Sequence, residues 1–308
     1  MAGRFLQRIA DLSVIGQEVL RDPTTGGISI ADTDDTATVF RSQNLDGTPG
    51  FRIQFNVDKN IEGTPNPTEI TIWNLGEASR SLFQRENSRV VLRAGYETAD
   101  DLQVIFQGNI QRTRTEKSGP DYVTKIRAAE SIVAWQNSTI NQSFGQPTSL
   151  TDAITSLSEA LSQVGVGTDT SAGLPSKTYQ SGIVLSGNTM KELEKIITSE
   201  NLEFSIQENQ LVILPAGATR EGNTFVLSVD TGMVGIPQIG DNSMTVKSLL
   251  NPRLRVYNQV LINSQFVNGL YRIAKVVHKG DTFEGDYITE LECDVAFQDL
   301  GIATGPAT

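Results

Sequence analysis

The side chains that could do chemistry are few and scattered. One histidine, His278, stands between Val277 and Lys279-Gly280. That neighbourhood places it at a strand end, where a lone imidazole is expected to be solvated, and no second histidine exists to complete a zinc site. The one cysteine, Cys293, excludes an internal disulfide and a thiolate metal cage. Its place on the apolar side of a strand points to a small core residue. Glu290, Glu292 and Asp294 raise the question of a carboxylate pair for glycoside hydrolysis. They alternate along one strand, which is the spacing of a solvated sheet face. Asp34-Asp35 and Asp100-Asp101 sit in loop sequence that could hold calcium, but no EF-hand pattern surrounds them. There is no G-x-S-x-G elbow, Walker A loop or H-E-x-x-H pair. A Ser-His-Asp triad would have to use His278, with nothing local to support it. The sequence therefore assigns no catalytic, cofactor-binding or metal-ligating residue.

The elements around these residues are mostly strands. A chain of 308 residues with 38% hydrophobic and 20% charged side chains suits a β-rich protein of two domains, or one large and one small. No stretch approaches the ~20 apolar residues that cross a bilayer as a helix, and no signal-peptide h-region follows Arg4 and Arg8. The net charge of −11 argues against a nucleic-acid-binding surface, which needs clustered Lys and Arg.

Residues 1 to 48 are the least regular. Phe5, Ile9, Leu12 and Val19 fall at helical spacing and predict a short amphipathic helix, followed by an Asp/Thr/Gly-rich extended arm. Phe51 to Val57 alternates as a strand, and Ile70 and Ile72 mark a second ending at Trp73. Glu77 to Arg85 predicts a short helix. Val90 to Tyr96 and Leu102 to Ile110 are strands, and a hairpin turns at Ser118-Gly119-Pro120. The composition shifts after Trp135. Leu150, Ile154, Leu157, Leu161 and Val164 make a helical stripe with Ser149 as N-cap and Gly165 as stop. A second helix starts near Asn188, with Met190, Leu193, Ile196 and Ile197 inward. It leads into a hairpin of Leu202–Ile206 and Leu211–Leu214. From Phe225 the pattern is β again.

Two distant segments match. Asp121-Tyr122-Val123-Thr124 parallels Asp286-Tyr287-Ile288-Thr289, and Ile126 parallels Leu291. Upstream, Val90-Val91-Leu92 parallels Val260-Leu261-Ile262, and strands with Gly108 and Gly269 lie between. One β-architecture used twice would let three chains build a pseudo-sixfold ring.

The motifs NPTEITIWNL (Asn66 to Leu75), VVLRAGY (Val90 to Tyr96) and FQGNI (Phe106 to Ile110) resemble the first β-domain of baseplate central hub proteins of contractile-tailed bacteriophages. TGMVGIPQ, SLLNPRL, GLYRIAKVVHKGD and GDYITELECD, between Gly232 and Asp294, resemble the closing part of the same family. The resemblance spans roughly 51 to 295. It implies a homotrimer whose two tube-type antiparallel β-barrel or sandwich domains per chain form a pseudo-hexameric ring. That ring would join a sixfold tail tube, or tube-initiator proteins, to a threefold central spike, among other baseplate proteins. It would sit in the virion tail, assembled in host cytoplasm, and pass DNA through its lumen without specific binding. Part of the acidic excess is then expected to line that channel. The fold expectation is mainly β with an α+β insertion. Residues 1–48 would be an N-terminal arm, 49–146 the first tube-like domain and 147–216 a small α+β subdomain. Residues 217–308 would be the second tube-like domain with a C-terminal tail. Two other readings stand beside it: a distal tail or tail-tube ring protein, and a carboxylate-based glycoside hydrolase with a long cleft.

Overall fold

The computed structural model describes residues 7–21, 28–32, 37–44, 46–85, 88–96, 102–169, 174–220, 224–241 and 243–294. The chain opens with β1 (Arg8–Ile15), β2 (Gln17–Arg21), β3 (Ile28–Asp32) and β4 (Thr38–Arg41). β5 (Ile53–Asn60), β6 (Pro67–Trp73), α1 (Glu77–Leu82), β7 (Arg89–Tyr96), β8 (Gln103–Ser118) and β9 (Asp121–Ala129) complete a first β-unit. Ile53, Phe55 and Val57 point into its core with Ile70, Ile72, Ile126 and Phe106, so the period-two pattern seats one face of the sheet. Gly119-Pro120 joins β8 to β9 as a two-residue hairpin, with Gly119 at φ +61°, a conformation open to glycine at no steric cost.

The predicted helix at the N-terminus is instead β1. Ile9 through Val14 are all buried, because β1 pairs with β7 on one edge and β4 on the other. A stripe at helical spacing has one wet side, whereas both faces of β1 are covered over Ile9 to Val14. Phe5 lies outside the described residues. β2 and β3 form a separate two-stranded sheet.

α2 (Ile132–Asn137), which the sequence reading missed, leads into an α+β unit. That unit contains β10 (Thr139–Phe144), β11 (Thr148–Ser149), α3 (Leu150–Ser162), β12 (Gly167–Asp169) and β13 (Thr178–Tyr179). β14 (Ile183–Asn188), α4 (Thr189–Ser199), β15 (Leu202–Gln207) and β16 (Gln210–Pro215) follow. β10 pairs with β14, so Thr139–Phe144 is tied to this unit. The predicted cap forms, Ser149 accepting a hydrogen bond from the Asp152 N–H, and Asn188, near which the second helix was expected to start, caps α4 by accepting one from the Lys191 N–H. Leu150, Ile154, Leu157 and Leu161 of α3 face Met190, Leu193 and Ile197 of α4 in one buried cluster.

The second β-unit contains β17 (Phe225–Leu227), β18 (Met233–Ile239), β19 (Ser243–Leu249), β20 (Gln259–Asn263), β21 (Asn268–Asp281) and β22 (Tyr287–Asp294). The two β-units share one topology. The first runs β5-β6-β9-β8-β7 across the sheet and the second β18-β19-β22-β21-β20. The match extends to irregularities: β8 is bulged against β9 between Ile110 and Arg112, and β21 against β22 between Ile273 and Lys275. Those registers make the whole Asp121-to-Ala128 segment the counterpart of Asp286-to-Cys293, as the sequence match has it. They also make Gly108 the counterpart of Tyr271, so the two strand glycines are not equivalent.

Candidate functional site

The strand repeat creates two kinds of edge, one closed inside the chain and one open at its surface. β21 outruns its neighbour β20. Its first residues pair with β20, and Lys275 to Asp281 pair antiparallel with β5. This junction joins the two β-units into one sheet. Gly280 lies near its end, opposite Phe55 on one side and Tyr287 on the other. A Cβ on Gly280 would stand 2.3 Å from the Phe55 ring, so the position requires glycine for close approach. Phe55 and Tyr287 meet edge to face with ring centres 5.8 Å apart. The Tyr287 hydroxyl donates to the carbonyls of Ile9 at 2.6 Å and Gly95 at 3.1 Å. One tyrosine of the second unit thus pins β1 and β7 of the first. Beside it, Arg52 holds Asp281 at 2.6 Å and stacks over Trp73 at 4.5 Å.

Below the junction lies a buried charge cluster. Lys59 reaches Glu130 at 3.1 Å and Glu208 at 3.2 Å, and Arg255 reaches Glu208 at 2.9 Å. Asn66 donates to the second oxygen of Glu130 at 2.8 Å, and the Glu208 N–H donates to the first at 3.1 Å. These residues come from the first β-unit, the β15–β16 turn and the second β-unit, so the cluster ties all three. Arg272, buried, adds a second tie through Glu203 of β15 and lies over the Tyr257 ring at 5.2 Å. The sequence carried one sign of this. Lys59 continues the buried series Ile53, Phe55, Val57, and a lysine in core phase needs a partner.

The residues singled out for chemistry are placed otherwise than chemistry would need. His278 is not solvated at a strand end. It sits within β21, buried, with Nδ1 2.9 Å from the Thr289 hydroxyl. Burial, then the charges of Lys59 and Arg255, push its pKa down to about 3 and keep it neutral. The strand-end reading failed because β21 continues past Lys279-Gly280, and the glycine serves packing and not a turn. Cys293 is a buried core residue, as expected, and burial pushes its thiol up to about 12. Glu290 lies within 3.5 Å of Lys247 and 3.8 Å of Lys279 on the sheet's wet face, while Glu292 is exposed beside it. Asp294 lies 4.0 Å from Arg272. Asp34-Asp35 and Asp100-Asp101 lie outside the described residues. Among the described residues, no three His, Cys, Asp or Glu side chains converge on a common point.

The open edges are the counterparts of the closed one. β8 outruns β7 as β21 outruns β20. From Arg112 to Ser118 it pairs with β9, and among the described residues no strand covers its other edge. β18, counterpart of β5, pairs with β19 and likewise ends the sheet. It exposes Val234, Ile236 and Ile239.

The family described as Baseplate hub gp41 matches residues 61–289. No curated protein matches the chain. Among solved structures, the 43 kDa tail protein of prophage MuSo2 from Shewanella oneidensis superposes with a TM-score of 0.58. Its identity is 8%, covering 91% of this chain and 96% of that one. A tail protein from Neisseria meningitidis MC58 gives 0.57 at 10% identity, over 92% and 96% of the two chains. The E. coli c3393 protein is described as a component of the type VI secretion system with structural similarity to the T4 bacteriophage tail proteins gp27 and gp5. It gives 0.56 at 9% identity, over 79% of this chain and 73% of that one. At such identities the likeness is one of fold.

Proposed function

The chain belongs to the baseplate hub gp41 family, and from that membership we propose that three copies close a ring of six β-units. This ring would join a sixfold tail tube, or its initiator, to a threefold central spike within the baseplate of the virion tail. Assembly would take place in the host cytoplasm, among other baseplate proteins. The observation that carries the reading is the strand-for-strand repeat. A chain presenting the same unit twice can meet sixfold symmetry on one side and threefold symmetry on the other. A tube or distal-tail ring with one unit per chain would not require it. The carboxylates weighed for glycoside hydrolysis are set along a sheet face beside cations, and the reading assigns the chain a structural and not an enzymatic role.

The sheet's wet face runs unbroken across the β21–β5 junction, and in a closed ring it would line the channel. Its charges are mixed. Arg112, Arg114, Lys125 and Arg127 face Asp58, Glu69 and Glu116 in the first unit, and Lys247, Lys275 and Lys279 face Glu290, Glu292 and Asp294 in the second. The acidic excess expected for a DNA channel is therefore not on this face. Many of the cations are held instead: Arg127 by Glu69 at 2.9 Å, Arg114 by Glu116 at 2.7 Å, Lys275 by Asp58 at 3.0 Å. A cation already paired has less to gain from a passing phosphate, so DNA would move through without specific binding. Mass measurement of the purified chain with imaging of the assembled tail tests the proposal. A three-chain ring seated on a spike is expected, and a ring of six chains would overturn it.

A further inference from the structure

The pseudo-repeat assigns a partner to each open edge, an inference that rests on the ring reading above. The β8–β9 and β21–β22 registers make Glu116 the counterpart of Lys279, Thr115 of His278, Arg114 of Val277 and Arg112 of Lys275. The β5–β6 and β18–β19 registers, linked through β9 and β22, make Gln54 the counterpart of Val234, Asn56 of Gln238 and Val57 of Ile239. Within the chain, β21 lies on β5 with His278 opposite Val57 and Lys279 opposite Asn56. At the position of Val57 the junction buries what the open edge exposes at Ile239. Val57 is 0% exposed and His278 2%, whereas Ile239 is 68% exposed, with Ile236 at 63% and Val234 at 43% along the same edge. An apolar strip on an edge strand is a feature that monomeric proteins avoid.

We propose that β8 of one copy pairs antiparallel with β18 of the next in the register of the internal junction. Thr115 then stands opposite Ile239, and Glu116 opposite Gln238. The contact is head to tail: each copy offers β8 to one neighbour and β18 to the other, and the rotation closes the ring. The match is not perfect, and the departure has a consequence. Between Val234 and Gln238 the second unit has Gly235, Ile236 and Pro237, where the first has Phe55 alone between Gln54 and Asn56. This bulge, with Gly235 at φ +75°, bends the strand, and Pro237 has no N–H to give. The ladder between copies is therefore shorter than the internal one, and burial of the Ile239 side chain carries more of the contact. Charge continues the analogy: Lys275 binds Asp58 across the internal junction, and its counterpart Arg112 approaches the end of β18, where Asp241 follows.

The test uses the full chain with Thr115→Cys plus Ile239→Cys, and separately Glu116→Cys plus Gln238→Cys. Each is oxidised mildly and resolved without reductant, with native mass measured in parallel. Directly opposed cross-strand positions bring Cβ atoms within reach of a disulfide, and native Cys293 is buried away from the edge. Covalent trimers from both pairs, and none from single-cysteine chains, are expected. Trimers by mass without a cross-link from either pair would overturn the edge assignment while leaving the ring reading standing. Cross-links within a six-chain ring would keep the edge assignment and sink the threefold reading. A chain monomeric by mass that gives no cross-link overturns the assignment as well. Ile239→Lys places a charge on a side chain that is solvent-exposed in the free chain. It is expected to reduce covalent trimer from the Glu116/Gln238 pair to the single-cysteine background, with an unchanged unfolding midpoint; an undiminished yield counts against the proposal.

Discussion

His278 and Thr289 meet at 2.9 Å between β21 and β22, at the position where Thr115 and Thr124 meet at 3.0 Å between β8 and β9. The same two backbone sites carry a side-chain hydrogen bond in both β-units. The second unit buries its version under β5, and the first leaves Thr115 only partly covered. The difference follows from what lies on the outer edge of the long strand.

Acid should act through His278. Its folded pKa lies near 3, against an ordinary value of 6.5. Below about pH 6.5 the unfolded chain takes up a proton that the folded chain refuses, so stability falls with pH until about 3. The ceiling on that loss is on the order of 5 kcal/mol. His278→Gln removes the titration. Between pH 7 and 4 its unfolding free energy, from urea melts at each pH, should fall less steeply than that of the unmodified chain. Parallel curves would refute the assignment.

Lys59→Met should cost about 3–5 kcal/mol, because it leaves Glu130 buried without its cation, while Glu208 keeps Arg255. Adding Glu130→Gln and Glu208→Gln should recover part of the loss. Equilibrium denaturation of the single and triple variants measures both. A single variant within 1 kcal/mol of the parent, by the same order-of-magnitude rule, would show the cluster to be dispensable.

Gly280→Ala should destabilise by roughly 1–3 kcal/mol, since the added methyl meets the Phe55 ring and neither strand can move without breaking the junction. Phe55→Leu in the same chain should restore part of that. Thermal melts of the two variants and the double variant give the coupling, and strict additivity would mean the ring is not the obstacle.

Cys293 should resist thiol reagents in the folded chain and react at the rate of unfolding. Its sulfur is fully buried and its pKa is raised to about 12. Reaction with a chromogenic disulfide at pH 8, with and without denaturant, checks this. Prompt labelling of native protein would contradict the buried placement.

Much of this protein was legible in its residues. The alternation of Ile53 to Val57, the cap Ser149, the start of α4 near Asn188, the turn at Gly119-Pro120 and the stripes of α3 and α4 are local patterns, and local physics was enough to place them. The repeat was visible in Asp121-Tyr122-Val123-Thr124 and Asp286-Tyr287-Ile288-Thr289, and the equivalent strands bury Thr124 as they do Thr289 and Ile126 as they do Leu291. Three things were decided only by the tertiary structure. β1 is a strand because β7 and β4 flank it, and no periodicity within Arg8–Ile15 encodes neighbours. His278 is buried because β5, over 200 positions earlier in the sequence, lies across the end of β21. Lys59, Glu130, Glu208 and Arg255 come together because three units of the chain pack on one point. Pairing between strands is set by register over long sequence separations, which residue spacing along one segment does not carry.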